Sequence, residues 1–300
     1  MTDGQDNPKL SKAQIWLLAA RPRTLPAAVS PVIVGISLAL ADGLFRLGPA
    51  LAALLTALLL QIAANVANDV FDFYRGADTA ERLGPLRVTQ AGLLTPRQTL
   101  AGMWVIFGLT GLLGLYLTYM AGWPVILIGL AAIAAAILYT GGPLPFGYYG
   151  LGDLVVFVFF GLIAVGGTYY VQAVQLNTAA LWASVSMGLL TTNILVVNNL
   201  RDIETDRKAG KLTLAVRLGE KGARLEYLLC LAGAYLVPWI MWLAGISSAW
   251  VLLSWLSIPV AVRLVRQMYR EKGRSLNLTL AGTGKFELLF AILFSIGLLI

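Results

Sequence analysis

Apolar runs of membrane-crossing length recur from one end of this chain to the other, and no soluble fold can bury so many of them. An α-helix rises about 1.5 Å per residue, so about 20 apolar residues cross the hydrocarbon of a bilayer. Runs of that order stand near residues 25–41, 49–70, 98–121, 123–140, 151–172, 180–200, 225–244, 249–268 and 284–300. They predict an all-α, polytopic membrane protein of nine transmembrane helices, one domain over residues 1–300, with a polar N-terminal segment over 1–20. Composition agrees: 58% of the 300 residues are hydrophobic and 12% charged, about half the charge of a soluble domain. The N-terminal stretch lacks a short apolar core followed by a small-residue cleavage site, so no secretory signal peptide is expected.

Charge gives the expected orientation. Every basic residue except Arg46 falls before the first run, between the second and third, between the sixth and seventh, or around the link from the eighth to the ninth. The positive-inside rule makes that side cytoplasmic, with the N-terminus inside and the C-terminus outside. A multi-pass protein of the inner (cytoplasmic) membrane is expected, with any site on that side facing the cytoplasm. The net charge of +7 is then mainly a topology signal. Nucleic-acid binding would need a soluble basic domain, and the sequence contains none. Histidine is absent and Cys230 is the sole cysteine. Thiolate clusters, imidazole metal sites and histidine bases are thereby excluded. Chemistry is left to Asp, Glu, Lys, Arg, Tyr or a metal held by oxygen.

Two acidic clusters stand at helix ends on the basic side. The first, NDVFDFYRGAD over 68–78, closes the second run. Gln61, Asn65, Asn68 and Asp72 follow the spacing i, i+4, i+7, i+11, one stripe of a helix, with Asp69 on its edge. Gly76 can break the helix and let Asp78 swing back. The second, NNLRDIETDRKAGK over 198–211, closes the sixth run. Asn199, Asp202 and Asp206 form its stripe, and Glu204 points away to solvent. Carboxylates near a bilayer are costly, and like charges on one stripe repel. A divalent cation removes both problems, and carboxylate and amide oxygens with phosphate are the ligands magnesium prefers. Two such clusters with nearby Arg75, Arg201, Lys208 and Lys211 suit a diphosphate leaving an allylic lipid chain. The metal offsets the leaving charge, basic side chains add to it, and aromatic faces support the carbocation.

Four stretches carry a family likeness: RPRTLPAAVSPVIVG, NDVFDFYRGAD with GPLRVTQAGLLTPRQ, YTGGPLPFGYYGLGD, and NNLRDIETDRKAGKLTLAVRLG. Together they resemble the UbiA-type intramembrane aromatic prenyltransferases, from about residue 21 to 224. The resemblance implies nine helices around a cavity open sideways to lipid. Asn68, Asp69, Asp72 and Asp78 would form one aspartate-rich motif, and Asn199, Asp202 and Asp206 the other. Together they would hold two Mg2+ on a polyprenyl diphosphate. The family's first motif is NDxxDxxxD; here Gly76 takes the last acid's place and Asp78 follows two residues later. The branch most similar implies 1,4-dihydroxy-2-naphthoate as acceptor, prenylated with loss of carbon dioxide; homogentisate, 4-hydroxybenzoate, haem or chlorophyllide are the alternative acceptors. Tyr139 is expected to face the cation or the acceptor ring, or to anchor at the interface. Asp153 is expected to orient the acceptor or accept its proton, or else to cap a helix. An ion-coupled transporter is the other class considered; transporter acids gather near the midplane, whereas these gather at one face.

Overall fold

The computed structural model describes residues 10–77 and 83–300, and the regular secondary structure in them is all helical. Twelve α-helices follow in order: α1 Lys12–Ala20, α2 Pro26–Ala41, α3 Leu47–Tyr74, α4 Pro96–Ala121, α5 Pro124–Leu138, α6 Gly152–Val156, α7 Gly167–Ala173, α8 Thr178–Arg201, α9 Ile203–Lys208, α10 Leu214–Leu243, α11 Ile258–Arg270 and α12 Leu276–Leu299. A π-helical stretch, Phe157–Gly166, joins α6 to α7, and a 3-10 stretch, Ala249–Ser257, leads into α11.

Each of the nine apolar runs is helical, but not all have the length of a single straight crossing. Seven helical stretches are long and apolar enough: Leu47–Tyr74, Pro96–Ala121, Gly152–Ala173, Thr178–Arg201, Leu214–Leu243, Ala249–Arg270 and Gly273–Leu299. An eighth arises if the pair Lys12–Thr24 and Pro26–Ala41, bent by 56°, counts as one crossing. Pro124–Leu138 is apolar but has 15 residues, about 22 Å at 1.5 Å per residue and short of the roughly 30 Å core. The count by length is seven or eight among the described residues.

The N-terminal segment is more structured than its polarity suggested. Ser11 and Gln14 form a reciprocal capping box that starts α1, which satisfies backbone donors left open at a helix start. Trp16 of α1 packs into the space beside Gly102 of α4. A buried group from α1, α3, α4 and the 88–94 connection makes one core, and α2, α7, α8, α10, α11 and α12 make another. Helix α2 packs on α12, so the first apolar run meets the last. Helix α8 crosses the π stretch at Gly161 and Gly188, where an added Cβ on Gly161 would lie 2.7 Å from the Gly188 Cα. Without a hydrophobic drive between helices in lipid, such small-residue contacts let backbones pack closely. A cavity of about 720 Å³ lies among the helices, lined from α2, α3, α4, α5, the π stretch, α7, α8 and α12.

Candidate active site

Both acidic clusters end their helices in the same way. After Tyr74, Gly76 adopts φ +66° and Ala77 N–H donates to the Asp72 carbonyl at 3.0 Å. After Lys208, Gly210 adopts φ +71° and Lys211 N–H donates to the Asp206 carbonyl at 2.9 Å. Each is a Schellman cap, with a left-handed glycine that a Cβ would strain. Asp72 and Asp206 hold equivalent places three residues before the cap residue, and both line the cavity. Asn68, Asn199 and Asp202 line it too. Asp202 sits at the joint between α8 and α9, with φ −96° and ψ 7°, which turns the last helical turn toward the cavity. Asp78 lies outside the described residues.

The surroundings of these acids differ. Asp72 is 1% exposed and accepts from Arg87 Nη2 at 2.8 Å, Tyr148 Oη at 2.8 Å and Lys211 Nζ at 3.1 Å. Asp202 accepts two bonds from Arg201, at 2.8 and 2.5 Å. Burial pushes the Asp206 carboxyl up to about 7; Lys211 and Arg201 pull it down, and Asp202 and Asp72 add to the rise. A group of like charges in poor solvent is what a divalent cation relieves.

The connection after α5 forms a roof over this end. Arg75 donates to the carbonyls of Thr140 and Gly142, and Thr140 Oγ1 donates to Asn68 Oδ1 at 3.0 Å. Leu212 N–H donates to the Tyr148 carbonyl, and Arg217 to the Tyr149 carbonyl, both at 2.9 Å. Lys211 Nζ lies 4.7 Å from the Tyr148 ring centroid and the Arg75 guanidinium 5.2 Å from it. The glycines of YTGGPLPFGYYGLGD are used for close approach: a Cβ on Gly147 would come 3.0 Å from the Tyr139 ring. Tyr139 and Tyr148 both line the cavity.

Several expected site residues stand elsewhere. Asp69 is turned about 100° around α3 from Asn68; its oxygens accept from Val88 and Thr89 N–H at 3.0 Å and pin the 83–95 connection. Arg201 is buried against Asp202, Asn198 and Asn277, so it holds the second cluster in place rather than facing the cavity. Arg75 is spent on the roof. Lys208 is exposed and is not among the lining residues. Asp153 makes no cap bond; it is buried outside the lining, and neither carboxylate oxygen has a hydrogen-bond partner among the described residues. Gln61 and Asn65 do line the cavity and donate to Thr24 Oγ1 at 3.1 and 2.9 Å. Glu204 pairs with Arg207 in solvent, as its position implied.

Sequence reasoning passed over Arg87 and Tyr148, the two strongest partners of Asp72. Arg87 stood among the loop cations, yet it is the one charge in LGPLRVTQAGLLTP, and a lone Arg there was the signal. Tyr148 carried none, since its contact with Asp72 joins residues far apart in the chain.

The donor set tests whether a metal fits. Among the described residues no three acids converge on one metal position. The lining instead offers Asp72, Asp202 and Asp206 with amide oxygens of Asn68 and Asn199, all hard oxygen donors spread around one end of the cavity. That arrangement fits magnesium, which takes one or two carboxylates and completes its shell with substrate phosphate and water.

Comparison with known proteins agrees with the geometry. The sequence pattern of the UbiA prenyltransferase family matches residues 28–298. A 1,4-dihydroxy-2-naphthoate octaprenyltransferase of Escherichia coli K12 is 40% identical over 297 residues, 97% of this chain and 96% of its own. Its counterpart in Mycobacterium tuberculosis H37Rv is 41% identical over 278 residues, 92% and 94%. A solved UbiA homolog from Archaeoglobus fulgidus, bound to GPP and Mg2+, shares the fold with a TM-score of 0.70 at 16% identity, over 95% of this chain and 99% of its own. The apo UbiA homolog of Aeropyrum pernix K1 gives 0.68 at 18%, over 90% and 96%. With the family pattern running nearly end to end and the acidic helix ends meeting at one cavity, this chain belongs to the UbiA prenyltransferase family.

Proposed function

We propose that the protein transfers a polyprenyl group from its diphosphate to 1,4-dihydroxy-2-naphthoate, releasing diphosphate and carbon dioxide and giving demethylmenaquinol, the hydroquinone that a separate two-electron oxidation converts to demethylmenaquinone. The observation that carries this reading is that Asp72, Asp202 and Asp206 border one end of a cavity whose remaining walls are mostly apolar. A charged head and a long hydrocarbon tail match those two environments. The acceptor is taken from the two relatives described above, at 40% and 41% identity, whose names specify it. The basic side faces the cytoplasm under the positive-inside rule, and the protein resides in the cytoplasmic membrane.

Asp72, Asp202 and Asp206, with the amides of Asn68 and Asn199 nearby, would hold two magnesium ions, which would supply positive charge to offset that of the departing diphosphate. The chain's own groups do the rest. Lys211, held against Asp72, adds a cation beside the leaving diphosphate. Tyr139, Phe159 and Phe160 line the cavity and give aromatic faces to the allylic cation. Arg21 and Arg23 also line it and are suited to the acceptor's carboxylate. The new C–C bond forms at the carbon bearing that carboxylate. Carbon dioxide departs and leaves its bonding pair in the ring, so no side chain has to take a ring proton there. That balance needs no base for a ring proton, and Asp153 stands outside the lining.

The test is to incubate the purified protein with labelled prenyl diphosphate, magnesium and a panel of aromatic acceptors. Turnover is expected with the naphthoate and only with magnesium present. Turnover with homogentisate or 4-hydroxybenzoate and none with the naphthoate would assign the same fold to another acceptor.

A further inference from the structure

The end of the cavity away from the acids carries no charge. Lining positions on α3 run from Asp72 back to Ala53, a separation of 19 residues, or about 28 Å at 1.5 Å per residue. There Ala53, Leu117, Val125 and Val171 line the cavity and belong to one packed apolar cluster, with Tyr170 against it. They close the cavity with a floor. Beneath it stands Arg46, the sole basic residue assigned to the opposite face by the charge pattern. Its guanidinium donates to the Val171 carbonyl at 2.5 Å, and its backbone N–H to Gln172 Oε1 at 2.6 Å. The last turn of α7, which supplies part of the floor, is therefore tied to the start of α3.

Five lining residues are glycines, and three of them, Gly114, Gly129 and Gly167, stand between floor and acids with no neighbour at the Cβ position. An added Cβ at any of these three meets nothing within 4 Å. Elsewhere in this chain helical glycines such as Gly161 and Gly188 are needed because a neighbour occupies the Cβ position. At these three the Cβ space belongs to the cavity, and a side chain there would fill it.

We propose that the outer end of the cavity measures the prenyl tail: the floor of Ala53, Leu117, Val125, Tyr170 and Val171 limits the length it encloses, and Gly114 and Gly129 keep the passage to that floor open. This rests on the prenyl-transfer reading. Four main-chain bonds of about 1.5 Å, zigzagging, advance an isoprenoid by about 5 Å per unit. About five units then fit between the acids and the floor, and a longer tail must bend or leave sideways, where it gains no further burial in the protein. Gly129 lies ten residues along α5 from Tyr139, about 15 Å, so a large side chain there leaves room for about three units.

The experiment measures kcat/KM for a donor series from geranyl diphosphate, two units, to octaprenyl diphosphate, eight units. In the unaltered protein the value is expected to rise with each unit to about five and then level. In Gly129→Phe it should level at about three units, and the preference for five units over two should fall by about tenfold, or 1.4 kcal/mol. A steady rise through eight units, or a levelling point that Gly129→Phe does not move, overturns the proposal while leaving prenyl transfer standing. No transfer from any donor by the unaltered protein overturns prenyl transfer itself. If Gly129→Phe transfers nothing, Gly129→Leu and Gly114→Leu decide on the same readout. Failure of all three with geranyl diphosphate overturns the proposal, because space above the filled positions must still hold two units.

Discussion

The two acidic helix ends share a backbone device and differ in electrostatics. Both finish in a Schellman cap on a left-handed glycine, and both place an acid at the same step before it. At the first end Asp72 is closed in by Arg87, Lys211 and Tyr148. At the second, Asp202 is held by its neighbour Arg201, and burial lifts Asp206 to about 7. Lys211 belongs to the second end by sequence and to the first by contact. The first end is thus built as a fixed, neutralised anchor, and the second as the one that gains most when a cation arrives.

Substitutions at the acids themselves should have the largest effect and should separate the two ends. Asp72→Asn and Asp202→Asn are each expected to lower prenyl transfer by at least about a hundredfold, about 3 kcal/mol, as for loss of a group that stabilises developing charge. Asp72→Asn should also destabilise the fold by about 3 kcal/mol, because it leaves Arg87 and Lys211 facing each other inside. Asp206→Asn should cost similar activity without that loss of stability. Thermal unfolding in detergent checks this; equal losses of Tm in Asp72→Asn and Asp206→Asn would erase the proposed difference.

The pH response sharpens the contrast. The Asp206 carboxyl is raised to about 7 from the usual carboxylate range near 3.9, so the folded protein favours its protonated form. Stability from this group is full at low pH and is lost as pH rises through about 7, unless a cation takes the proton's place. Metal binding needs the carboxylate, so the magnesium concentration for half-maximal activity should rise up to about tenfold per pH unit below about 7. Activity titrated with magnesium at pH 6 and pH 8 checks this, and Asp206→Asn should flatten the difference.

A smaller effect is expected where the two ends touch. Lys211→Met removes the link to Asp72 and a cation beside the diphosphate; KM for the donor should rise by about tenfold, about 1.4 kcal/mol. Gly76→Ala and Gly210→Ala should each cost about 1 kcal/mol of stability, since both residues hold φ near +70°. Equal losses at the two glycines would support the shared cap, and a neutral Gly210→Ala would show that the second cap is relaxed.

Much of this arrangement was legible from residue spacing. The stripe Gln61, Asn65, Asn68 and Asp72 does face the cavity, because helical periodicity fixes direction within one element. Asp69 was the ambiguous member, one residue off the stripe, and its backbone bonds to Val88 and Thr89 depend on how a distant connection folds back. Charge identity misled in the same way. Arg75, Arg201 and Lys208 have the right chemistry for diphosphate, but Arg75 and Arg201 are engaged by partners that only the assembled fold supplies, and Lys208 stands outside the lining. Apolar composition does not set helix length: α5 is apolar enough to read as a full crossing, and its start at Pro124 and end at Leu138 give it 15 residues.

The central claim is that these two ends grip one metal-bound diphosphate. A double-mutant cycle of Asp72→Asn and Asp206→Asn, read as magnesium-dependent binding of geranyl diphosphate, tests it most directly. One shared site predicts that the double variant loses less than the two single losses combined, with a coupling of at least about 1 kcal/mol. Additive losses within about 0.5 kcal/mol would mean that the two ends act on separate ligands, and would contradict the account.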